Sequence, residues 1–321
     1  MQGDLIVVFG GSGFVGTQVV RALAKRGKRV RVPMRRPHLG HELRVTGDVG
    51  QVQLVQANVR YPESVAAALD GADGVINCVG LLSEKGPQTF SAVQAEGAEA
   101  IAQAAAARGI TRFVQVSAIA DPKTGARYAR TKAAAEDAVR AAVPSATIVR
   151  PSLVFGSEDG FFNRFANMAK FAPALPLIGG KTKFQPVYVG DVAEAIANAI
   201  DREDARGQTY ELGGPRAYTM RELMTFITET IDRPRPLAPI PFFAATPLGM
   251  LLDAMYRLYP FANAPLTGDQ VALLKRDNVV SPGAKTIADL GVTQLESVES
   301  VVPNYLWKFR PYGQFQTRQN A

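Results

Sequence analysis

The chain has 321 residues, 47% of them apolar and 20% charged, enough to bury a core and too hydrophobic for a disordered segment. Its formal charge of +7 belongs to one half: residues 1–150 hold 19 basic against 12 acidic side chains, and residues 151–321 hold 17 of each. One cysteine, Cys78, excludes a disulfide framework, and the two histidines, His38 and His41, both lie in a basic stretch, which argues against a histidine-based triad or metal centre.

Leu5–Phe9 is a continuous apolar run of strand length, followed by glycine-rich sequence and an amphipathic stretch from Phe14 to Arg26. Only Met1–Asp4 precede that run, so no leader peptide is expected, and no apolar stretch is long enough to span a bilayer. Val30–Met34, Val52–Val55, Gly74–Cys78, Phe113–Val116 and Ala146–Arg150 read as five further strands. Between them come a proline-opened helix at Pro62–Leu69, an Ala-rich helix over Phe90–Arg108 and a third over Tyr128–Val143. Strands apolar throughout and alternating with helices predict a doubly wound parallel α/β sheet, a Rossmann domain over residues 1–155.

Past Pro151 the rhythm changes. Pro and Gly punctuate Phe171–Pro186, Asp191–Ile200 is helical and Gln208–Leu212 is a strand. Thr219–Ile231 is a helix with Glu222 at capping-box distance from Thr219. Residues 156–310 are expected to form a smaller α/β lobe interleaved with the first, and 311–321 a polar tail. The stretch Phe242–Phe261 is unusually apolar and aromatic, which suits either a core helix or a surface for a membrane or partner. Trp307, Phe309 and Tyr312 add aromatic residues of the kind that anchor interfaces.

Gly10-Gly11-Ser12-Gly13-Phe14-Val15-Gly16 follows a strand and opens a helix. Glycine suits a sharp turn, close approach to a pyrophosphate and tight strand–helix packing, and helix N–H groups then bind the phosphate charge. At the end of the second strand, Pro33-Met34-Arg35-Arg36 offers no carboxylate for a ribose 2′-OH. Paired guanidinium hydrogen bonds favour a 2′-phosphate there, hence NADPH over NADH. Asn58-Val59 is a candidate for the adenine edge. Strand ends at Cys78-Val79-Gly80, Val116-Ser117, Pro151 and Leu153 complete the candidate cofactor contacts. The nine basic residues of Arg21–Arg44 face one acid, Glu42, a cluster too local for a nucleic-acid coat. Those beyond Arg35 and Arg36 are either solvated or face an acidic partner or anionic lipid.

Tyr128-Ala129-Arg130-Thr131-Lys132 places Tyr and Lys on one helical face, and resembles the Tyr-x-x-x-Lys signature of short-chain dehydrogenase/reductases. That resemblance implies Tyr128 as general acid/base and Lys132 as the group that lowers its pKa and holds the nicotinamide ribose. Phe184–Ala193 and Tyr210–Pro215 resemble the extended branch of the same family. Two departures stand out. The family's catalytic hydroxyl falls on Ala118, with Ser117 one place early, and only ten residues separate Ser117 from Tyr128. Both favour a site that holds cofactor without efficient chemistry.

Pro265–Val271, Leu273–Val280 and Ala288–Val292 resemble one atypical branch, the nucleotide-binding accessory subunit of respiratory complex I in its alphaproteobacterial form. The resemblance implies a structural NADPH at the junction of the peripheral and membrane arms near the quinone site, with other complex I subunits as partners. It also implies a peripheral place on the cytoplasmic face of the bacterial inner membrane. The alternative is a free-standing NADP-dependent reductase or epimerase using Tyr128 and Lys132.

Overall fold

The computed structural model of the chain describes residues 4–81, 83–84, 86–258 and 266–313. From the N-terminus come β1 (Leu5–Phe9), α1 (Phe14–Lys25), β2 (Arg29–Met34), the short α2 (His41–Arg44), β3 (Val52–Gln56) and α3 (Pro62–Ala68). Next are β4 (Gly74–Asn77), α4 (Glu96–Ala106), β5 (Phe113–Val116), α5 (Arg127–Ala142) and β6 (Thr147–Pro151). The six strands pair in parallel in the order β3-β2-β1-β4-β5-β6. The order reverses between β1 and β4, which opens a crevice beyond the carboxyl ends of the strands.

Burial on both faces explains the apolar runs of the central strands β1 and β4, whereas β2 and the edge strand β3 carry Arg29, Arg31, Gln53 and Gln56 and are partly exposed. Ile6 and Val8 of β1 pack with Val19, Val20 and Leu23 of α1, while Val7 and Phe9 pack with residues of α3, α4 and α5. Each face of the sheet therefore has its own core.

The second half continues with β7 (Val154–Phe155), α6 (Phe162–Phe171), β8 (Leu175–Ile178), β9 (Lys183–Phe184), β10 (Val187–Tyr188) and α7 (Val189–Asp201). Then follow β11 (Thr209–Leu212), β12 (Tyr218–Thr219), α8 (Met220–Thr230), β13 (Leu237–Ile240), α9 (Phe242–Leu258), α10 (Gly268–Leu273) and β14 (Lys285–Thr286). α7 joins α1 on its face of the sheet, and β11 and β14 extend the sheet in parallel beyond β6. The remaining strands pair two by two around a separate core that includes Phe155, Phe162, Leu175, Leu223 and Leu306. The capping box of α8 forms as its sequence predicts, with Thr219 and Glu222 exchanging hydrogen bonds.

Two stretches depart from or resolve the sequence expectation. The helix predicted from Phe90 begins with a π turn at Ser91–Ala95, where the Phe90 N–H donates to Glu84 Oε1 at 2.8 Å and the Gln94 amide donates to the Leu81 carbonyl at 2.8 Å. α9 is not a core helix. Ala245 is buried against Ile178 and Val271, but Phe243, Met250 and Leu251 are 82%, 61% and 58% exposed. Phe261, at the end of the apolar stretch, lies outside the described residues, as does most of the 311–321 tail.

Candidate nucleotide-binding site

Steric demands separate the glycines of the first loop. Gly10 has φ +73°, and a Cβ there would sit 2.8 Å from the backbone of Cys78 and Val79. A Cβ on Gly16 would lie 2.1 Å from the Gly10 carbonyl oxygen, so only glycine lets α1 approach the strand end. Gly11 packs against Val32 of β2, and Val15 against the core beneath. Gly13 differs: its Cβ would meet just the Gly10 oxygen, at 3.3 Å, which leaves the exposed side of the loop at Ser12 and Gly13 open. Gly13 is also the N-cap of α1 and supplies no side-chain acceptor, so the first-turn N–H groups at Phe14, Val15 and Gly16 face that space. An open cradle at a positive helix end suits a pyrophosphate.

Arg35 and Arg36 emerge exposed from the end of β2. Other members of the basic cluster are already engaged inside the molecule. Arg26 pairs with Glu194 and bonds Asn198 Oδ1 at 2.7 Å. Lys28 meets Asp4 at 3.0 Å and Asp201 at 2.9 Å, and Arg112 meets the same two carboxylates at 2.9 Å each. Hydrogen bonds from Arg112 and Lys28 hold the Asp4 carboxyl below its usual pKa. Arg31 donates to the carbonyls of Ala68 and Asp70 at 3.0 and 2.6 Å. The cluster is thus partly a structural tie between α1, β2 and α7.

The other strand ends converge on the same edge. Asn58 Oδ1 accepts the Arg60 N–H at 3.2 Å, and Val59 fills the gap over Gly97 at the start of α4. Buried Asn77 donates to Gln115 Oε1 at 2.9 Å and accepts the Val79 N–H at 3.0 Å, fixing the turn that carries Cys78, Val79 and Gly80. The Pro151 carbonyl accepts from the Ile119 N–H at 3.0 Å, and the Leu153 carbonyl from the Val187 N–H at 2.9 Å.

Tyr128 and Lys132 lie one turn apart on α5, with the ammonium 6.0 Å from the phenol ring centre. Lys132 is buried and donates to the Val116 carbonyl at 3.2 Å. Burial pulls its pKa down to about 8, against the opposing influence of Cys78 and Glu136. Burial also pushes the Tyr128 phenol up to about 12, and the Cys78 thiol to about 12 despite Lys132. Ser117 is buried with its Oγ lacking a hydrogen-bond partner, while Ala118, half-buried, stands next to it without a hydroxyl. An orphaned buried hydroxyl beside Lys132, an open glycine cradle and an uncapped helix end fit a dinucleotide lying across the crevice.

Several residues that hold this arrangement were not legible as site residues. Glu136, one turn beyond Lys132, accepts two hydrogen bonds from Arg150 of β6 at 2.9 and 2.5 Å, tying α5 to the sheet. At the other end, Asp269 accepts the N–H groups of Arg127 and Tyr128 at 2.7 and 2.8 Å, and the Arg127 guanidinium pairs with Glu84 at 2.8 Å. The available hint was negative: Ala126 stands at the N-cap and has no capping side chain. The stretches around Gln185 and Glu211 serve as docking points for the later chain. Gln185 Oε1 accepts the Val280 N–H at 3.0 Å, Glu211 Oε2 accepts the Ser281 N–H at 2.7 Å, and the Ser152 hydroxyl bonds Asn278 at 2.7 Å.

Residues 6–213 match the NAD dependent epimerase/dehydratase family. The chain belongs to that family. Among curated relatives, it is 38% identical over 301 residues to the NADH dehydrogenase (ubiquinone) 1 alpha subcomplex subunit 9, mitochondrial, of Arabidopsis thaliana, covering 90% of this chain and 74% of the relative. The protein of the same name from Rattus norvegicus is 36% identical, with 93% and 80% covered. A ceramide reductase of Caulobacter vibrioides is 33% identical over 78% of each chain. In fold, this epimerase/dehydratase-family chain superposes on the NADPH-dependent quinone oxidoreductase of Escherichia coli complexed with NADPH, with TM-score 0.72 at 17% identity over 94% and 99% of the two chains. No helix among the described residues is long and apolar enough to cross a membrane.

Proposed function

We propose that the chain is an NADP(H)-binding accessory subunit of respiratory complex I, the NADH:ubiquinone oxidoreductase, whose nucleotide is structural. The observation that carries this reading is an intact phosphate cradle beside a position without its hydroxyl: Gly13 lies on the exposed side of the loop, and Ala118 stands where the family's catalytic hydroxyl falls. Homology to the subunit 9 proteins over nine-tenths of the chain supports the assignment to complex I. Gly10–Gly16 would hold the pyrophosphate, Arg35 and Arg36 the 2′-phosphate, and Asn58-Val59 the adenine edge. Cys78–Gly80, Val116-Ser117, Pro151 and Leu153 would line the nicotinamide side, with Tyr128 and Lys132 on its ribose. When bound, NADPH carries a transferable hydride and also stabilises the folded state by mass action, about 2.7 kcal/mol at a hundred times Kd.

In this reading residues 1–155 hold the nucleotide and 156–310 dock, peripherally on the cytoplasmic face of a bacterial inner membrane, near the quinone site of an alphaproteobacterial complex. Affinity purification from detergent-solubilised membranes should recover quinone-reductase subunits together with copurified NADPH, identified by mass spectrometry. Recovery as a free protein would overturn the assignment. A free-standing NADP-dependent reductase is the second reading, favoured by the intact Tyr128–Lys132 pair and the ceramide reductase relative. It requires Tyr128→Phe to abolish turnover of a carbonyl substrate.

A further inference from the structure

We propose that Asp269 is a positioning residue for the nicotinamide half of the dinucleotide, acting from the C-terminal lobe on the first turn of α5. This rests on the nucleotide-binding reading above. α5 spans 16 residues, and its cap residue Ala126 offers no side-chain acceptor to its leading N–H groups. Asp269 supplies both missing acceptors from 142 residues away: Oδ1 takes the Arg127 N–H at 2.7 Å and Oδ2 the Tyr128 N–H at 2.8 Å. Its negative charge meets the positive end of the helix dipole. The residue so gripped is Tyr128 itself, and Lys132 follows one turn on.

Asp269 is in turn held by its surroundings. The Thr267 hydroxyl caps α10 by accepting the Gln270 N–H at 3.1 Å, and the Gly268 N–H donates to Asp253 of α9 at 2.9 Å. Gly249 of α9 sits so close that a Cβ would come within 3.0 Å of the Thr267 and Gly268 backbone. A line of direct contacts therefore runs from α9 through α10 to Tyr128.

Among the described residues, Asp269 accepts from the Arg127 and Tyr128 N–H groups of α5, and neither α1 nor the end of β2 bonds to it. The site should thus divide by ligand half. The test is isothermal titration of the full chain with NADPH and with adenosine 2′-phosphate 5′-diphosphate, which lacks the nicotinamide and its ribose. Asp269→Ala should weaken NADPH about tenfold, the size expected for losing a charge-assisted helix cap, and leave adenosine 2′-phosphate 5′-diphosphate within about twofold. Asp269→Asn keeps one acceptor and loses the charge, so its selective loss should be smaller; it supplies the ratio if the alanine variant does not fold. Gly249→Val should reproduce the NADPH-selective loss with Asp269 intact. Equal weakening of both ligands, or none, overturns the proposal while leaving the nucleotide site standing. Binding of neither ligand by the unaltered chain would overturn the nucleotide reading itself.

Discussion

The two halves of the candidate site are built in opposite ways. The glycine loop is seven consecutive residues whose geometry follows from missing Cβ atoms: a Cβ would come 2.1 Å from the Gly10 oxygen at Gly16 but 3.3 Å from it at Gly13. The Tyr128–Lys132 face has a local tie, Glu136 to Arg150, and a distant one, Asp269 capping α5 across 142 residues. The first can bind phosphate wherever the strand–helix turn forms. The second depends in part on Asp269, which makes it the half that a change around α9 and α10 reaches first.

The largest effect should separate the glycines themselves. Gly16→Val forces a side chain into the Gly10 carbonyl and should abolish nucleotide binding while costing about 3 kcal/mol or more in denaturant unfolding. Gly13→Ala, by contrast, should leave unfolding nearly unchanged and weaken binding alone; a large stability loss at Gly13 would contradict its role as open phosphate space. Next in size, Arg35→Ala combined with Arg36→Ala should weaken NADPH by about 10- to 100-fold and NADH far less, measured by titration of both. Equal losses would refute the 2′-phosphate assignment.

Lys132→Met tests the assembled half and carries a sign. The folded-state pKa of about 8 lies below the ordinary 10.5, so between those values the unfolded chain binds the extra proton and stability rises with pH. Below pH 8 the buried charge is a full penalty. Replacement by methionine should therefore stabilise the nucleotide-free protein at pH 7 by roughly 1–3 kcal/mol, with the gain fading toward pH 10.5. The same variant should bind NADPH less well, and a thermal series across pH with and without nucleotide reads both. The smallest change is expected from Tyr128→Phe, which should leave assembly and NADPH affinity within about fivefold if the nucleotide is structural, since one neutral hydrogen bond is worth about 1 kcal/mol.

The six core strands and the α8 capping box were readable because burial on two faces and a Thr–Glu pair three residues apart are local patterns. α9 was not. An apolar helix composition suits the core and an exposed face equally, and Phe243, Met250 and Leu251 are outside only because the Ala245 side is the one that meets Ile178 and Val271. Nor could the +7 of the first half be apportioned. Arg26 and Lys28 look like free charge until Glu194 and Asp201 arrive from α7.

By itself, the sequence determined the doubly wound layer, the phosphate loop and the absence of a carboxylate after β2, because glycine sterics and strand patterning act over a few neighbouring residues. Tertiary structure decided which basic residues are spent on internal ion pairs, which face of α9 meets solvent, and what caps the helix that carries Tyr128. Those outcomes depend on hydrogen bonds and charges between residues about 70 to 170 positions apart, whose pairing exists only once the whole chain has folded.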